Sequence, residues 1–142
     1  MVIREIMSER VVTVGQDEPV AVAARLLKRH NVGALPVCDS AGRLRGLITD
    51  RDIVLRCVAM DENPQTTKTS DVMSRGIITA EPGDAVEKAA QLMSRDQVRR
   101  LPVVDSGRVV GVVSLCDMAR SRRCDMEAAE ALSEISSNIK RR

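Results

Sequence analysis

The sequence predicts a mixed fold of the α/β (α+β) class, in which one β-α-β-β-α unit is used twice and a helix follows near the C-terminus. Three observations predict it. The chain is an internal duplication. Within each copy, short β-branched runs alternate with apolar residues at helical spacing. Each copy also closes on the same corner: Gly46-Leu47-Ile48-Thr49-Asp50-Arg51-Asp52 in the first, Gly111-Val112-Val113-Ser114-Leu115-Cys116-Asp117 in the second.

A constant offset places Met7-Ser8 on Met73-Ser74 and Thr13 on Thr79. It places Val20, Ala23, Ala24 and Leu26 on Val86, Ala89, Ala90 and Leu92. Leu35-Pro36-Val37 falls on Leu101-Pro102-Val103, and Asp39-Ser40 on Asp105-Ser106. Ala41 is an insertion, after which Gly42-Arg43 falls on Gly107-Arg108, Gly46 on Gly111 and Asp52 on Asp117. The organisation expected is a first repeat over 1–60, a polar linker over 61–68, a second repeat over 69–123, and a C-terminal helix with a basic tail over 124–142.

Each element has its own local cause. Val11-Val12-Thr13-Val14 and Ile77-Ile78-Thr79 are β-branched runs and predict first strands. Gly and Pro punctuate the chain after each run, and the apolar spacing from Val20 and from Val86 predicts helices. Asp84 is placed to cap the second of these. His30 falls at the end of the first, as a cap or an exposed side chain. Leu35 to Cys38 and Leu101 to Val104 predict buried strands, each with a Pro that must sit near a strand start or an edge. Turns at Asp39-Ser40-Ala41-Gly42 and Asp105-Ser106-Gly107 lead to third strands over Leu44 to Ile48 and Val109 to Val113. Closing helices start at Thr49 and Ser114. Met126, Ala129, Leu132, Ile135 and Ile139 then form a stripe on a last helix, packed on the chain's own core or on a second copy.

Composition narrows the function. The chain has 142 residues, 44% of them apolar, with no Phe, Tyr or Trp. Its core must be aliphatic, and a bound base would be held between aliphatic side chains. A net charge of +2 and the lack of stacking aromatics argue against a nucleic-acid partner. No apolar run reaches the length of a membrane span, and the N-terminus lacks a signal-peptide pattern, so no membrane partner and a cytoplasmic location are expected. Cys38, Cys57, Cys116 and Cys124 show no C-x-x-C spacing, and one His cannot complete a common zinc set. Free thiols and no metal site are expected. No nucleophile–base pair or placed carboxylate pair suggests catalysis, so no catalytic residue is assigned.

The corners carry the chemistry. A strand that ends at a hydroxyl residue and turns into a helix presents backbone N–H groups to an anion. The hydroxyl can donate to a phosphate oxygen, and the Asp can accept two hydrogen bonds from a ribose diol. Thr49-x-x-Asp52 and Ser114-x-x-Asp117 equally fit a helix capping box, with Asp in place of Glu. The two roles are compatible, because a cap leaves part of each side chain free.

The β-α-β-β-α unit, the Leu-Pro-Val-x-Asp strand and the Gly-φ-φ-Thr/Ser-x-x-Asp corner (φ apolar), in that order and twice, resemble a tandem pair of CBS domains. The resemblance covers nearly all of residues 3–121 and is to the stand-alone bacterial type, a Bateman module. It implies a regulatory fold whose repeats pack with pseudo-twofold symmetry and leave two clefts. It also implies a homodimer, and adenosine ligands: AMP, ADP or ATP, with S-adenosylmethionine behind them, and no required cofactor. On this resemblance Asp52 and Asp117 bind ribose hydroxyls, and Thr49 and Ser114 bind phosphate or ribose. Thr13 and Thr79 lie beside the base, and Val37 and Val103 supply apolar walls. Arg99-Arg100 take the place of the family's basic phosphate-binding pair, which Gly33-Ala34 do not. One phosphate-competent cleft and one weaker or empty cleft are therefore expected. The function expected is a ligand sensor that modulates a separate, unidentified protein partner. The alternative is an interaction or stress scaffold of the same fold with degenerate clefts that binds no nucleotide.

Overall fold

The computed structural model describes residues 1–121 and 125–140, and in it the chain divides into two compact units. One unit holds Val12–Ile77; the other holds Met1–Val11 together with Ile78–Arg142. The division does not follow the repeats as they run in the sequence, and the backbone hydrogen bonds give the reason.

In the first unit, β1 (Val14–Gly15), β2 (Ala34–Cys38) and β3 (Leu44–Thr49) form a sheet in the order β1-β2-β3, with β1 parallel and β3 antiparallel to the central strand. The helix α1 (Val20–His30) covers the sheet, and α2 (Asp50–Ile53) runs into a π-helical turn over Val54–Val58. The expected linker is part of this unit. Thr67 and Pro64 accept with their carbonyls from the N–H groups of Val20 and Ala21, two donors that the first turn of α1 leaves free. Past α3 (Thr69–Val72), Ser74 exchanges both backbone hydrogen bonds with Leu47 of β3, at 2.8 and 3.0 Å.

The other unit repeats this with the N-terminus in the linker's place. The Met1 carbonyl accepts from Val86 N–H at the start of α4 (Val86–Asp96). Ser8 exchanges backbone hydrogen bonds with Val112 of β5 (Arg108–Ser114), the antiparallel partner of β4 (Arg100–Asp105). The equivalent Met-Ser pairs, Met7-Ser8 and Met73-Ser74, thus close the two units in the same way.

The cores are aliphatic, as composition requires. Val20, Leu35, Val37 and Ile48 centre one, and Ile3, Met93, Leu101, Val103 and Met118 the other. In the second unit, α5 (Leu115–Arg120) and α6 (Asp125–Lys140) join α4 around that core.

Several expectations need correction. The first strands are stubs: β1 holds two residues instead of Val11 to Val14, and Ile77 to Thr79 form no strand, leaving one parallel bridge between Ala80 and Val103. Asp84 does not cap α4, whose N-cap is Ala85. Its carboxylate instead accepts from Glu81 N–H at 2.9 Å and from Lys88 Nζ at 3.2 Å, which hold it below the usual carboxylate range. On α6, Ala128, Ala131 and Ile135 are buried, whereas Ala129 and Leu132 are exposed. The buried face is turned about one residue from the predicted stripe because α6 meets α4 and α5 together. The side chains of Met126 and Ile139, and all of Arg122, Arg123, Cys124, Arg141 and Arg142, lie outside the described residues. His30 is exposed.

Candidate functional site

Each corner is built where a β-strand ends on a hydroxyl residue. Thr49 has extended backbone and is the N-cap of α2; its Oγ1 accepts from Asp52 N–H at 3.0 Å, and Asp52 Oδ2 accepts from Thr49 N–H at 3.0 Å. Ser114 and Asp117 repeat this at 3.1 and 2.9 Å at the start of α5. Both capping boxes are therefore real. Each occupies one hydroxyl lone pair and one carboxylate oxygen, and leaves the second carboxylate oxygen to other partners.

Those other partners differ. In the first unit, Asp52 is buried, and Ser74 Oγ donates toward its two oxygens at 3.3 and 3.4 Å. Arg56 Nε stands 4.0 Å from Oδ1, while its Nη1 donates to the carbonyls of Val72 and Met73 at 3.2 and 3.0 Å. Asp52 is thereby tied to the segment that closes its unit. In the second unit, the other oxygen of Asp117 meets only the exposed Arg120, at 3.8 Å, among the described residues. Sequence reading missed Ser74 and Arg56. The repeated Met-Ser pair was the available signal for Ser74; nothing local marked Arg56.

The glycine of each corner has a steric cause. A Cβ on Gly46 would lie 2.6 Å from the Ser74 carbonyl oxygen, and one on Gly111 3.0 Å from the Ser8 carbonyl oxygen. The closing segment crosses the strand at that point, so a side chain has no room.

Sheet register places the remaining candidates. Arg100 pairs with Ser114, and the Arg99 carbonyl accepts from Leu115 N–H at 3.0 Å. The basic pair thus belongs to the Ser114–Asp117 corner, at the end of the sheet where β4 begins. Thr79 precedes the Ala80–Val103 bridge at the same end. Arg99, Arg100 and Thr79 are all exposed. In the first unit, Ala34 pairs with Thr49, the Gly33 carbonyl accepts from Asp50 N–H at 3.2 Å, and exposed Thr13 precedes β1. Gly33 and Ala34 hold the places that Arg99 and Arg100 hold in the second unit, so this corner has no equivalent basic pair. Val37 and Val103, the expected apolar walls, have no accessible surface and pack inside the two cores, on strands flanked on both sides.

A groove of about 470 Å³ between α4 and α6 shares no residue with either corner. Glu87, Glu130 and Glu134 line it against one guanidinium, Arg95, which is the wrong charge balance for a phosphate. Cys38, Cys57 and Cys116 are free thiols, and burial pushes the Cys38 thiol up. Among the described residues, no group of three or more His, Cys, Asp or Glu side chains is placed to hold a metal ion, and no helix is long and apolar enough to cross a membrane.

Comparison with known proteins agrees with the architecture. The family model described as CBS domain matches residues 3–58 and 70–123. The CBS domain-containing protein YhcV of Bacillus subtilis is 42% identical over 134 residues, covering 94% of each chain. The crystal structure of Hypoxic Response Protein I with two coordinated zinc ions superposes with a TM-score of 0.79 at 35% identity, covering 84% of this chain and 98% of that one. The CBS domain pair of protein MJ0100, in complex with 5-methylthioadenosine and S-adenosyl-L-methionine, superposes with a TM-score of 0.74 at 32% identity, over 84% and 94%.

Proposed function

The chain belongs to the CBS-domain family, and from that premise we propose that it is a regulatory module that binds an adenosine nucleotide of the AMP, ADP or ATP class and modulates a separate protein. The observation that carries this reading is the Ser114–Asp117 corner. There a half-free carboxylate suited to a ribose diol and a hydroxyl on an extended strand end share one sheet end with two exposed guanidinium groups. Carboxylate and guanidinium sort the two halves of a nucleotide: the diol donates to Asp117, and phosphate oxygens accept from Arg99 or Arg100. The adenosine ligands held by the MJ0100 pair support the ligand class. Ligand control of a partner then requires that the nucleotide favour one of two conformations or assemblies. The homodimer belongs to the same reading.

The first corner favours the scaffold reading for its own half. Its carboxylate is already engaged by Thr49 N–H, Ser74 and Arg56, and no basic pair stands beside it. We assign it the weaker site.

Without Trp or Tyr the protein is nearly transparent where adenine absorbs. The purified protein, heated to release its ligand, is expected to yield adenine absorbance in the supernatant, identified by chromatography. Titration of the stripped protein with AMP should then show Asp117→Asn weakening binding by about 1–2 kcal/mol, one charge-assisted hydrogen bond, with Asp52→Asn changing it less. A clean supernatant and no thermal shift with AMP, ADP, ATP or S-adenosylmethionine would turn the conclusion to the nucleotide-free scaffold.

A further inference from the structure

Equivalent helices of the two units are covered differently. In the second unit α6 lies along α4, and a groove runs between them. On the α6 side it is lined by Glu130, Ala131 and Glu134, two acids four residues apart with a small residue beside them. On the α4 side stand Ala90, Gln91, Ser94 and Arg95. Ala90 and Ala131 are buried, and Ser94 Oγ donates to the Glu134 carboxylate.

The duplication sets α1 on α4. Ala24 falls on Ala90, Arg25 on Gln91, Lys28 on Ser94 and Arg29 on Arg95, while Ala21 replaces Glu87, the one acid of that groove on α4. The small residue over which a second helix can approach is kept. The polar positions around it have become basic. Residues 21, 24, 25 and 28 share one face of a helix, with 29 at its margin.

In the first unit no described helix stands over that face. Arg25, Lys28 and Arg29 are exposed, and Ala24 is half-buried where Ala90 is 5% exposed. Val20, Ala23 and Leu27 are buried in the core on the opposite side, which fixes the orientation of the helix. None of the three cations enters an ion pair among the described residues. The helix itself, Val20–His30, contains no Asp or Glu to relieve their mutual repulsion. A surface that brings carboxylates from outside would relieve it and would be selected by it. The equivalent face of α4 already receives a helix over an alanine at the same position, so a helix has the matching shape. Nucleic acid and lipid match less well. The net charge is +2, there is no aromatic side chain to stack on a base, and none of the exposed large apolar side chains is on α1.

We propose that the face of α1 carrying Arg25, Lys28 and Arg29 is the docking surface for a separate protein, and that this partner presents an acidic amphipathic helix with two carboxylates four residues apart beside a small residue. The surface rests on the reading of a module with a separate partner and does not require the nucleotide. The partner's carboxylates meet Arg25 and Lys28, and its small residue lies over Ala24.

Fluorescence anisotropy of a labelled peptide, titrated with the full chain at low ionic strength, tests it. The probe is the 16-residue sequence of α6, cross-linked into a helix on the side away from Glu130 and Glu134. The wild type is expected to bind it saturably. Arg25→Glu combined with Lys28→Glu should lower the affinity about tenfold or more, by setting like charges across the contact. Both positions are exposed, so the far-ultraviolet dichroism should not change. A probe carrying Glu130→Lys and Glu134→Lys should fail on the wild type and bind the substituted chain, which a merely structural role of α1 would not produce. No saturable binding, or binding untouched by the α1 substitutions, overturns the surface. Tighter binding of poly(U) RNA or of phosphatidylglycerol vesicles, lost with the same substitutions, overturns the acidic helix in favour of a polyanion. A fall in the sedimented mass of the substituted chain overturns the separate partner in favour of a second copy. AMP titration of the same samples separates the two readings. AMP binding beside a failed probe overturns this surface alone, and a bound probe without AMP binding overturns the nucleotide reading alone.

Discussion

Gly46→Ala is expected to destabilise the protein by about 2–3 kcal/mol, the range for forcing atoms into a filled site. The added Cβ would lie 2.6 Å from the Ser74 carbonyl oxygen and 2.7 Å from Met73 Sδ. The sulfur can swing aside, but the carbonyl is held by its hydrogen bond from Leu47 N–H. Relief requires the Ser74 segment to lift from β3, which breaks the paired hydrogen bonds between Leu47 and Ser74 and moves Ser74 away from Asp52. Gly33→Ala is the control, since a Cβ there meets nothing within 4 Å. Urea unfolding of the two variants measures the difference. Equal midpoints would mean that the closing segment yields freely and that the corner glycine has some other cause. Gly111→Ala should cost less, because its backbone obstacle lies at 3.0 Å and its nearest atom, Met7 Sδ at 2.7 Å, is on a flexible side chain.

The second large effect falls on binding. Arg99→Ala combined with Arg100→Ala is expected to lower the affinity for AMP about a hundredfold, the scale of losing one or two hydrogen bonds between guanidinium and phosphate. Adenosine, which has no phosphate, should bind the variant and the wild type alike. Both arginines are exposed and neither is in an ion pair among the described residues, so the variant should unfold at the wild-type midpoint. Calorimetric titration with the two ligands reads the contrast. Equal losses for AMP and adenosine would mean that the pair shapes the site without touching phosphate. No loss for either would remove these arginines from the site.

Much of the fold was legible because it was written twice. Leu35-Pro36-Val37 and Leu101-Pro102-Val103 form strands at matching positions, and Thr49-x-x-Asp52 and Ser114-x-x-Asp117 form matching capping boxes, because strand period and capping chemistry act over a few residues. The first strands were over-read for the same reason. Val11 and Val12 have the right side chains for a strand, but their backbone finds no partner strand, and pairing is decided by residues distant in the chain.

The candidate site divides along the same line. Sequence alone supplied its chemical groups: two hydroxyls, two carboxylates, and one basic pair in only one of the repeats. It also determined an aliphatic core and the location of each corner at a strand-to-helix turn, since these arise from composition and local spacing. Tertiary structure decided the rest. It put Val37 and Val103 inside the cores, engaged Asp52 with Ser74 and Arg56, and set Arg100 in register with Ser114. It also assigned residues 1–11 to the unit of the second repeat and residues 61–77 to that of the first. The physical reason is that every helix start and sheet edge must find hydrogen-bond partners. Here those partners come from segments that stand next to them in space and far from them in sequence.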